Sequence, residues 1–109
     1  MISNDIFIEL LTAGLNRRTM PEADVEWDVT VDGRQFDVLV THKFGMHKVI
    51  IAFEVKDKKR AVSVDQIDAF VTKVTDIGAN KAVFVSTSGF QSGAIKTAKR
   101  HHMDLATSS

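Results

Sequence analysis

The sequence predicts an α/β fold in which a mixed central sheet is flanked by helices. A period-two run of apolar residues leads into Asp32-Gly33, which is typical of a β-hairpin. A nearly continuous apolar run, Val49–Lys56, is typical of a buried central strand. The passage from Val49 to Val85 then alternates strand, helix and strand, and such a crossover favours parallel pairing of its two strands.

Length and composition indicate one globular domain. The chain has 109 residues, which suits a single core spanning residues 1–109. No apolar run approaches the roughly 20 residues of a membrane span, so no membrane partner is expected. No basic segment precedes an apolar one at the N-terminus, so no signal peptide is expected. The absence of cysteine excludes a disulfide framework and a thiolate zinc site, and makes a cytoplasmic location the default expectation.

Charge is unevenly distributed along the chain, although the formal net charge is zero. Residues 1–37 carry 3 basic and 8 acidic side chains, whereas residues 38–109 carry 11 basic and 6 acidic ones. This asymmetry fits a side that faces a polyanion, and equally two solvated faces of opposite sign. Zero net charge argues against an avid, non-specific nucleic-acid binder.

The first predicted helix begins at Ser3 or Asn4 and ends near residues 16–18. Glu9 lies within it. The return strand of the hairpin runs from about Arg34 to Thr41 and places Asp37 on the face opposite its apolar neighbours, which are Phe36, Val38 and Val40. Asp37 is thus an acid in an otherwise apolar strand, and residues 42–48 are predicted to form a turn into the central strand.

The C-terminal half is predicted to add two helices and two strands. Ser63 is a suitable N-cap for a helix that Gly78 ends. A short buried strand, Ala82–Val85, precedes a helix from about Ser92 to His101, whose inward side chains are Ala94, Ile95 and Ala98. Residues 103–106 would form a last short strand.

An acid and a base lie near the end of the central strand. Glu54 and Lys56 point to the same side, roughly 7 Å apart at their Cα atoms. Charged groups at the end of a buried strand are costly and are usually paired, liganded or catalytic. Asp37 would join them if the hairpin strand pairs with the central strand and both acids face one side of the sheet. The alternative for Asp37 is a strand-edge acid in solvent.

This combination suits a magnesium site. Magnesium prefers oxygen ligands, which the carboxylates of Asp37 and Glu54 and the backbone carbonyl of Val55 would supply. Such a metal lowers the pKa of a bound water and neutralises charge on phosphate oxygens. Lys56 would orient or deprotonate that water, or stabilise the transition state. The pattern therefore predicts metal-dependent cleavage of a phosphodiester bond.

These residues also resemble a known family. An acid in the second strand followed by Glu-x-Lys at the end of the third looks like the PD-(D/E)XK nuclease superfamily, and the wider sequence resembles the Mrr-like catalytic domain of restriction endonucleases. The similarity covers most of the chain, and the matching pieces are Gln35–Leu39, Phe53–Lys56, Val64–Ile67 and Gly78–Phe90. The resemblance implies a restriction-endonuclease-like αβββαβ core.

The resemblance further implies roles for individual residues. Asp37 and Glu54 would be metal ligands and Lys56 the catalytic lysine. Gln66 matches the helix glutamine of Mrr-like domains, which would position a water or another site residue. Glu9 resembles a first-helix acid that some members use near the metal, the alternative being a solvated helix face. The family often has a proline before its first acid, where this sequence has Phe36.

Three other groups of residues have simpler interpretations. The histidines at positions 42, 47, 101 and 102 match no zinc spacing and are expected at the surface. Ser86–Ser88 lack a nucleophile-elbow motif and are expected to form a strand-to-helix turn with capping hydroxyls. The basic run Asp57–Arg60 is typical of a solvated loop, although its place after Lys56 would also suit phosphate contacts.

The sequence therefore predicts a magnesium-dependent DNA endonuclease of Mrr-like restriction type, with manganese able to substitute. One site cuts one bond, so a double-strand cut calls for a homodimer or for sequential nicks. Two alternatives stay open: a structure-selective resolvase for branched DNA, and a non-catalytic nucleic-acid-binding module on the same fold. The set of Asp37, Glu54, Lys56 and Gln66 favours the enzyme, because a binding module does not need buried polar residues.

Overall fold

A computed structural model describes residues 23–107, which form a five-stranded sheet and two helices. The elements, in chain order, are β1 (Asp24–Val31), β2 (Arg34–Phe44), β3 (His47–Lys56), α1 (Val64–Asp76), β4 (Lys81–Ser86), α2 (Ser92–Arg100) and β5 (Asp104–Thr107). The predicted first helix and Glu9 lie outside the described residues. No helix within residues 23–107 is long and apolar enough to cross a membrane.

The sheet is mixed and its strands lie in sequence order, from β1 at one edge to β5 at the other. β1, β2 and β3 pair antiparallel, whereas β3, β4 and β5 pair in parallel. The parallel pairs follow from the helices, because a strand that continues through a crossover helix returns in the same direction. The predicted α/β class, the mixed sheet and the parallel crossover are therefore confirmed.

Two clusters of buried side chains lie on the two faces of the sheet. Ala52 and Phe84 face the helices, where they pack against Ile67 and Phe70 of α1. Phe53 and Val85, their neighbours along β3 and β4, pack in the other cluster with Val38 and Val40. Alternation along a strand explains this division, since successive side chains point to opposite faces.

Phe36 departs from that alternation. It is fully buried in the cluster with Leu39 and the helices, rather than with Val38 and Val40 as the sequence predicted. The β2–β3 ladder ends at Val38 paired with Phe53, and the β1–β2 ladder skips the position opposite Asp37, where Asp28 has a φ of 50°. This local distortion interrupts the alternation of β2, so the Phe36 side chain points to the face that the helices cover.

The turn between β2 and β3 is shorter than predicted. Both strands continue through most of residues 42–48 and leave a two-residue turn at Gly45 and Met46. Gly45 has a φ of 58°, which suits the left-handed conformation of a tight hairpin turn. The predicted seven-residue turn was wrong, because residues 42–44 and 47–48 continue the two paired strands and only Gly45 and Met46 form the turn.

The helices match the predicted positions more closely. Ser63 caps α1 in a reciprocal capping box with Gln66, and Gly78 follows its end with a φ of 67°. In α2, Ala94, Thr97 and Ala98 are buried, whereas Ile95 is half exposed. The inward face therefore follows the helical spacing of residues 94, 97 and 98, and the prediction for Ile95 was wrong.

Candidate functional site

Asp37 and Glu54 meet on one face of the sheet, just beyond the last residue pair of the β2–β3 ladder, which is Val38 and Phe53. Extending the β2–β3 register by one residue places Asp37 opposite Glu54. Oδ2 of Asp37 accepts a hydrogen bond of 2.7 Å from the backbone N–H of Val55. A side-chain hydrogen bond with Asp37 also contributes to the pKa of Glu54, so the two carboxyl groups are direct neighbours. The two acids therefore face the same side, as the site hypothesis requires.

The environment of Glu54 raises the pKa of its carboxyl group above the ordinary value. Burial raises the pKa of Glu54 most, and the hydrogen bond and negative charge of Asp37 raise it further. The ammonium of Lys73 lowers this pKa, but the net shift is upward. Two adjacent carboxyl groups with little solvent are an arrangement that a divalent cation would stabilise, because it would compensate both negative charges.

Lys73 is a member of the site that the sequence interpretation missed. Its Nζ lies 3.2 Å from Oε2 of Glu54, and both side chains are mostly buried. The same Nζ lies 5.1 Å from the centroid of the Phe36 ring, which is within the range of a cation–π contact. A helical signal existed: Lys73 follows Gln66 by seven residues, so both lie on one side of α1.

Lys56 ends β3, two residues after Glu54. Its carbonyl accepts a hydrogen bond of 3.1 Å from the N–H of Thr87, which fixes the strand end against the turn after β4. Its side chain is half-buried and makes no hydrogen bond or ion pair within residues 23–107. The ammonium group is thus free, as far as the described part of the chain goes, to contact a substrate.

Gln66 is held by the cap of α1. Its Oε1 accepts a hydrogen bond of 3.0 Å from the N–H of Ser63, and its own N–H donates to the Ser63 hydroxyl. Among the described residues, no hydrogen bond joins Gln66 to Asp37, Glu54 or Lys56. The structure thus brings Asp37 and Glu54 into contact and leaves Gln66 at the beginning of the neighbouring helix.

Two of the simpler interpretations need correction. His42 is buried against the ring of Phe44, with centroids 4.2 Å apart, and is not a surface histidine. The hydroxyl of Ser86 binds the carbonyl of Gly89 within the turn, while α2 begins after Gln91 without a side-chain cap. The predicted capping hydroxyls therefore stabilise the turn and not the helix.

The possible metal ligands are few. Within residues 23–107 there is no group of three or more histidine, aspartate or glutamate side chains that could hold a metal ion. Asp37 and Glu54 provide two adjacent carboxylates, a hard oxygen pair of the kind magnesium uses while keeping several waters. The donor set therefore fits a weakly held, partly hydrated divalent cation better than a closed structural site.

A family model gives the first comparison with known proteins. The model of the Mrr-type catalytic domain, described as a restriction endonuclease, matches residues 7–109. No curated protein matches the chain.

Solved structures give the second comparison. A protein of unknown function, AF1548, is 15% identical with a TM-score of 0.67, over 89% of this chain and 54% of that one. The DNA modification-dependent restriction endonuclease AspBHI is 19% identical with a TM-score of 0.55, over 97% of this chain and 29% of that one. A complex of EndoMS with dsDNA is 15% identical with a TM-score of 0.59, over 98% of this chain and 44% of that one. The chain thus spans about half or less of these proteins, and at such low identity the likeness shows the fold.

Proposed function

The chain belongs to the restriction endonuclease family whose Mrr-type catalytic-domain model matches residues 7–109, and on this premise we propose that it is a metal-dependent DNA endonuclease. The observation that carries the proposal is the contact between Asp37 and Glu54, two residues before Lys56. Adjacent, partly buried carboxylates beside a lysine with no ion-pair partner in residues 23–107 are costly for stability alone. They suit a site that must hold a cation and a phosphate.

Asp37 and Glu54 would hold the metal, which we propose to be magnesium, with manganese as a substitute. The carbonyl of Val55 and, from outside the described residues, Glu9 complete the proposed ligand set. When bound, the metal would supply Lewis-acid stabilisation of the phosphate and a more acidic water. The N–H of Val55 already orients Asp37 through its hydrogen bond, so one ligand is positioned before any metal binds.

The remaining residues act on the substrate or on the ligands. Lys56 would contact a phosphate oxygen or the attacking water, since its ammonium lacks another partner in the described part of the chain. Lys73 would balance the charge of Glu54 through their ion pair. Gln66 would act as a positioning residue, because its oxygen is fixed by the Ser63 cap while its amide N–H₂ can still donate.

DNA is the proposed substrate and partner. Among the related folds, the EndoMS complex contains dsDNA and the MspJI complex an oligonucleotide. We extend that partner to this chain as part of the proposal. A double-strand cut would require a homodimer or sequential nicks, because one pair of carboxylates serves one phosphodiester. A single domain and a cytoplasmic location, expected from the sequence, complete the proposal.

A cleavage assay tests the site directly. Supercoiled, linear, methylated and branched DNA are incubated with the protein and magnesium, manganese, calcium or a chelator. We expect cleavage with magnesium or manganese that Asp37→Asn and Lys56→Met abolish. Asp68→Asn and Lys96→Met make the same chemical changes at exposed helix positions and should cleave like the wild type.

The outcomes separate the candidate functions. Cleavage that survives both site substitutions would refute the assigned residues. Binding without cleavage in every metal would favour a non-catalytic nucleic-acid-binding module. Preferential cleavage of the branched substrate would identify a structure-selective resolvase.

A further inference from the structure

A basic groove lies next to the candidate site and shares Gln66 with it, whereas its basic residues have no role in the cleavage chemistry proposed above. Its volume is about 440 Å³. It is lined by side chains that are mostly hydrogen-bond donors: Lys58, Lys59, Arg60, Ser63, Gln66 and Gln91. The cationic and amide groups of this lining suit an anion.

The three basic side chains of the groove lie in solvent, and Asp57, which precedes them in the chain, offsets part of their charge. Lys58, Lys59 and Arg60 are exposed, and none forms an ion pair with an acidic side chain in the part of the chain between residues 23 and 107. Consecutive like charges repel each other. A bound anion would reduce that repulsion.

The loop that carries these charges is held in place. The N–H of Val62 donates to the carbonyl of Gly89 at 3.0 Å, and the N–H of Gln91 donates back to the carbonyl of Val62 at 2.9 Å. At the other end of the loop, the hydroxyl of Ser88 binds the carbonyl of Lys58. Because both ends are tied to the turn after β4, the backbone of the groove is ordered before a ligand binds.

Two amide side chains add neutral donors to the groove. The oxygen of Gln66 is occupied by the N–H of Ser63, which leaves the amide N–H₂ group for a ligand. Gln91 precedes α2 but makes no side-chain cap. Amide donors beside cationic ones match the several acceptor oxygens of a phosphodiester group.

The groove is close to the candidate site. Lys58 follows Lys56 by two residues, which limits their Cα separation to about 7 Å. Phosphates on one DNA strand advance by about 3.4 Å along the helix axis per nucleotide. The groove is thus near enough to reach a phosphate one or two nucleotides from the bond at Asp37 and Glu54.

We propose that the basic groove is a second phosphate subsite, which binds the DNA backbone on the strand being cut, one or two nucleotides from the scissile phosphate. This inference rests on the proposed nuclease function. Its contribution is to position the strand so that the scissile phosphate lies at the two carboxylates. Contacts to phosphates of this kind position the protein on DNA without reading its sequence.

The test compares two variants that lose the same charge. Lys58→Gln/Lys59→Gln/Arg60→Gln removes the basic residues of the groove. The control, Lys43→Gln/Lys48→Gln/Lys99→Gln, removes three exposed basic residues that do not line the groove. Binding of a labelled duplex is measured by fluorescence anisotropy without metal over a range of salt concentrations, so that no cleavage is needed.

We expect the groove variant to lose about tenfold in affinity and its plot of log K against log salt to be less steep by about 2, as for the loss of two phosphate contacts. The control should keep the wild-type slope. Lys58→Arg/Lys59→Arg keeps the charge and should bind like the wild type. If the triple variant fails to fold by circular dichroism, Arg60→Gln alone should lower the slope by about 1.

The outcomes distinguish this inference from the proposed function. A groove variant that binds with the wild-type affinity and slope, or a control that loses as much as the groove variant, overturns the subsite while cleavage by the wild type stands. A groove variant that loses affinity in a protein that cleaves nothing with any metal refutes the nuclease and, with it, a subsite beside a scissile phosphate, although the groove then still binds the DNA backbone.

Discussion

Removal of Lys73 tests whether this side chain takes the place of a metal beside Glu54. Lys73→Met keeps the length of the side chain but removes its charge. The ion pair spans 3.2 Å, with side chains 21% and 13% exposed, so its loss falls between that of an exposed pair and that of a buried one. We expect the metal-free protein to lose about 2 kcal/mol of unfolding free energy.

Magnesium should reduce that loss. A bound cation would neutralise Glu54 in place of the ammonium, and the variant would no longer oppose the metal with a positive charge. We expect magnesium to bind about tenfold more tightly to Lys73→Met, which recovers about 1.4 kcal/mol of stability at saturation. Urea unfolding with chelator and with saturating magnesium measures the change in stability, and isothermal titration calorimetry measures the affinity for magnesium.

Lys96→Met, at an exposed position of α2, is the matched control and should change neither quantity. Weaker magnesium binding to Lys73→Met would refute the reasoning, because Lys73 would then hold Glu54 in its ligand position instead of competing with the metal. Unchanged stability without metal would show that the ion pair contributes no net free energy.

Three further predictions concern acidity, capping and packing. The pKa of Glu54 is raised above 4.5, so its contribution to metal-free stability is present below pH 4.5 and is lost as the pH rises through the raised pKa. The unfolding free energies of the wild type and Glu54→Gln, measured in urea, should therefore diverge between pH 4.5 and that raised pKa. Parallel curves of unfolding free energy against pH would contradict the shift. Ser63→Ala should cost about 1 kcal/mol through loss of the α1 cap, and an unchanged urea midpoint would contradict that role. Phe84→Ala should cost about 3–5 kcal/mol, because the ring is fully buried between Phe70 and Phe90; a thermal melt close to that of the wild type would show that the core tolerates the cavity.

Much of the fold could be predicted from local patterns. Asp32-Gly33 gave the first hairpin turn, and Ser63 and Gly78 marked the ends of α1, because turn and cap chemistry act over a few neighbouring residues. Longer-range features were less accessible. The departure of Phe36 from strand alternation depends on where two ladders end, and that register is set by neighbouring strands.

The candidate site was predicted in part for the same reason. The motif placed Asp37, Glu54 and Lys56 in the right strands, and pairing of β2 with β3 brought the two acids together. Lys73 was missed because a lysine on an amphipathic helix ordinarily points to solvent. Only the packing of α1 on the sheet turns it toward Glu54.

The sequence by itself determined the order of strands and helices, the parallel crossover and the residue types of the candidate site, since each follows from periodicity, turn residues or a short motif. The tertiary structure alone decided which charges meet. It set Asp37 against Glu54, gave Glu54 its counter-ion in Lys73, and tied the basic loop to the turn after β4. The physical reason is that electrostatic interactions depend on distance and burial, which are properties of the packed chain.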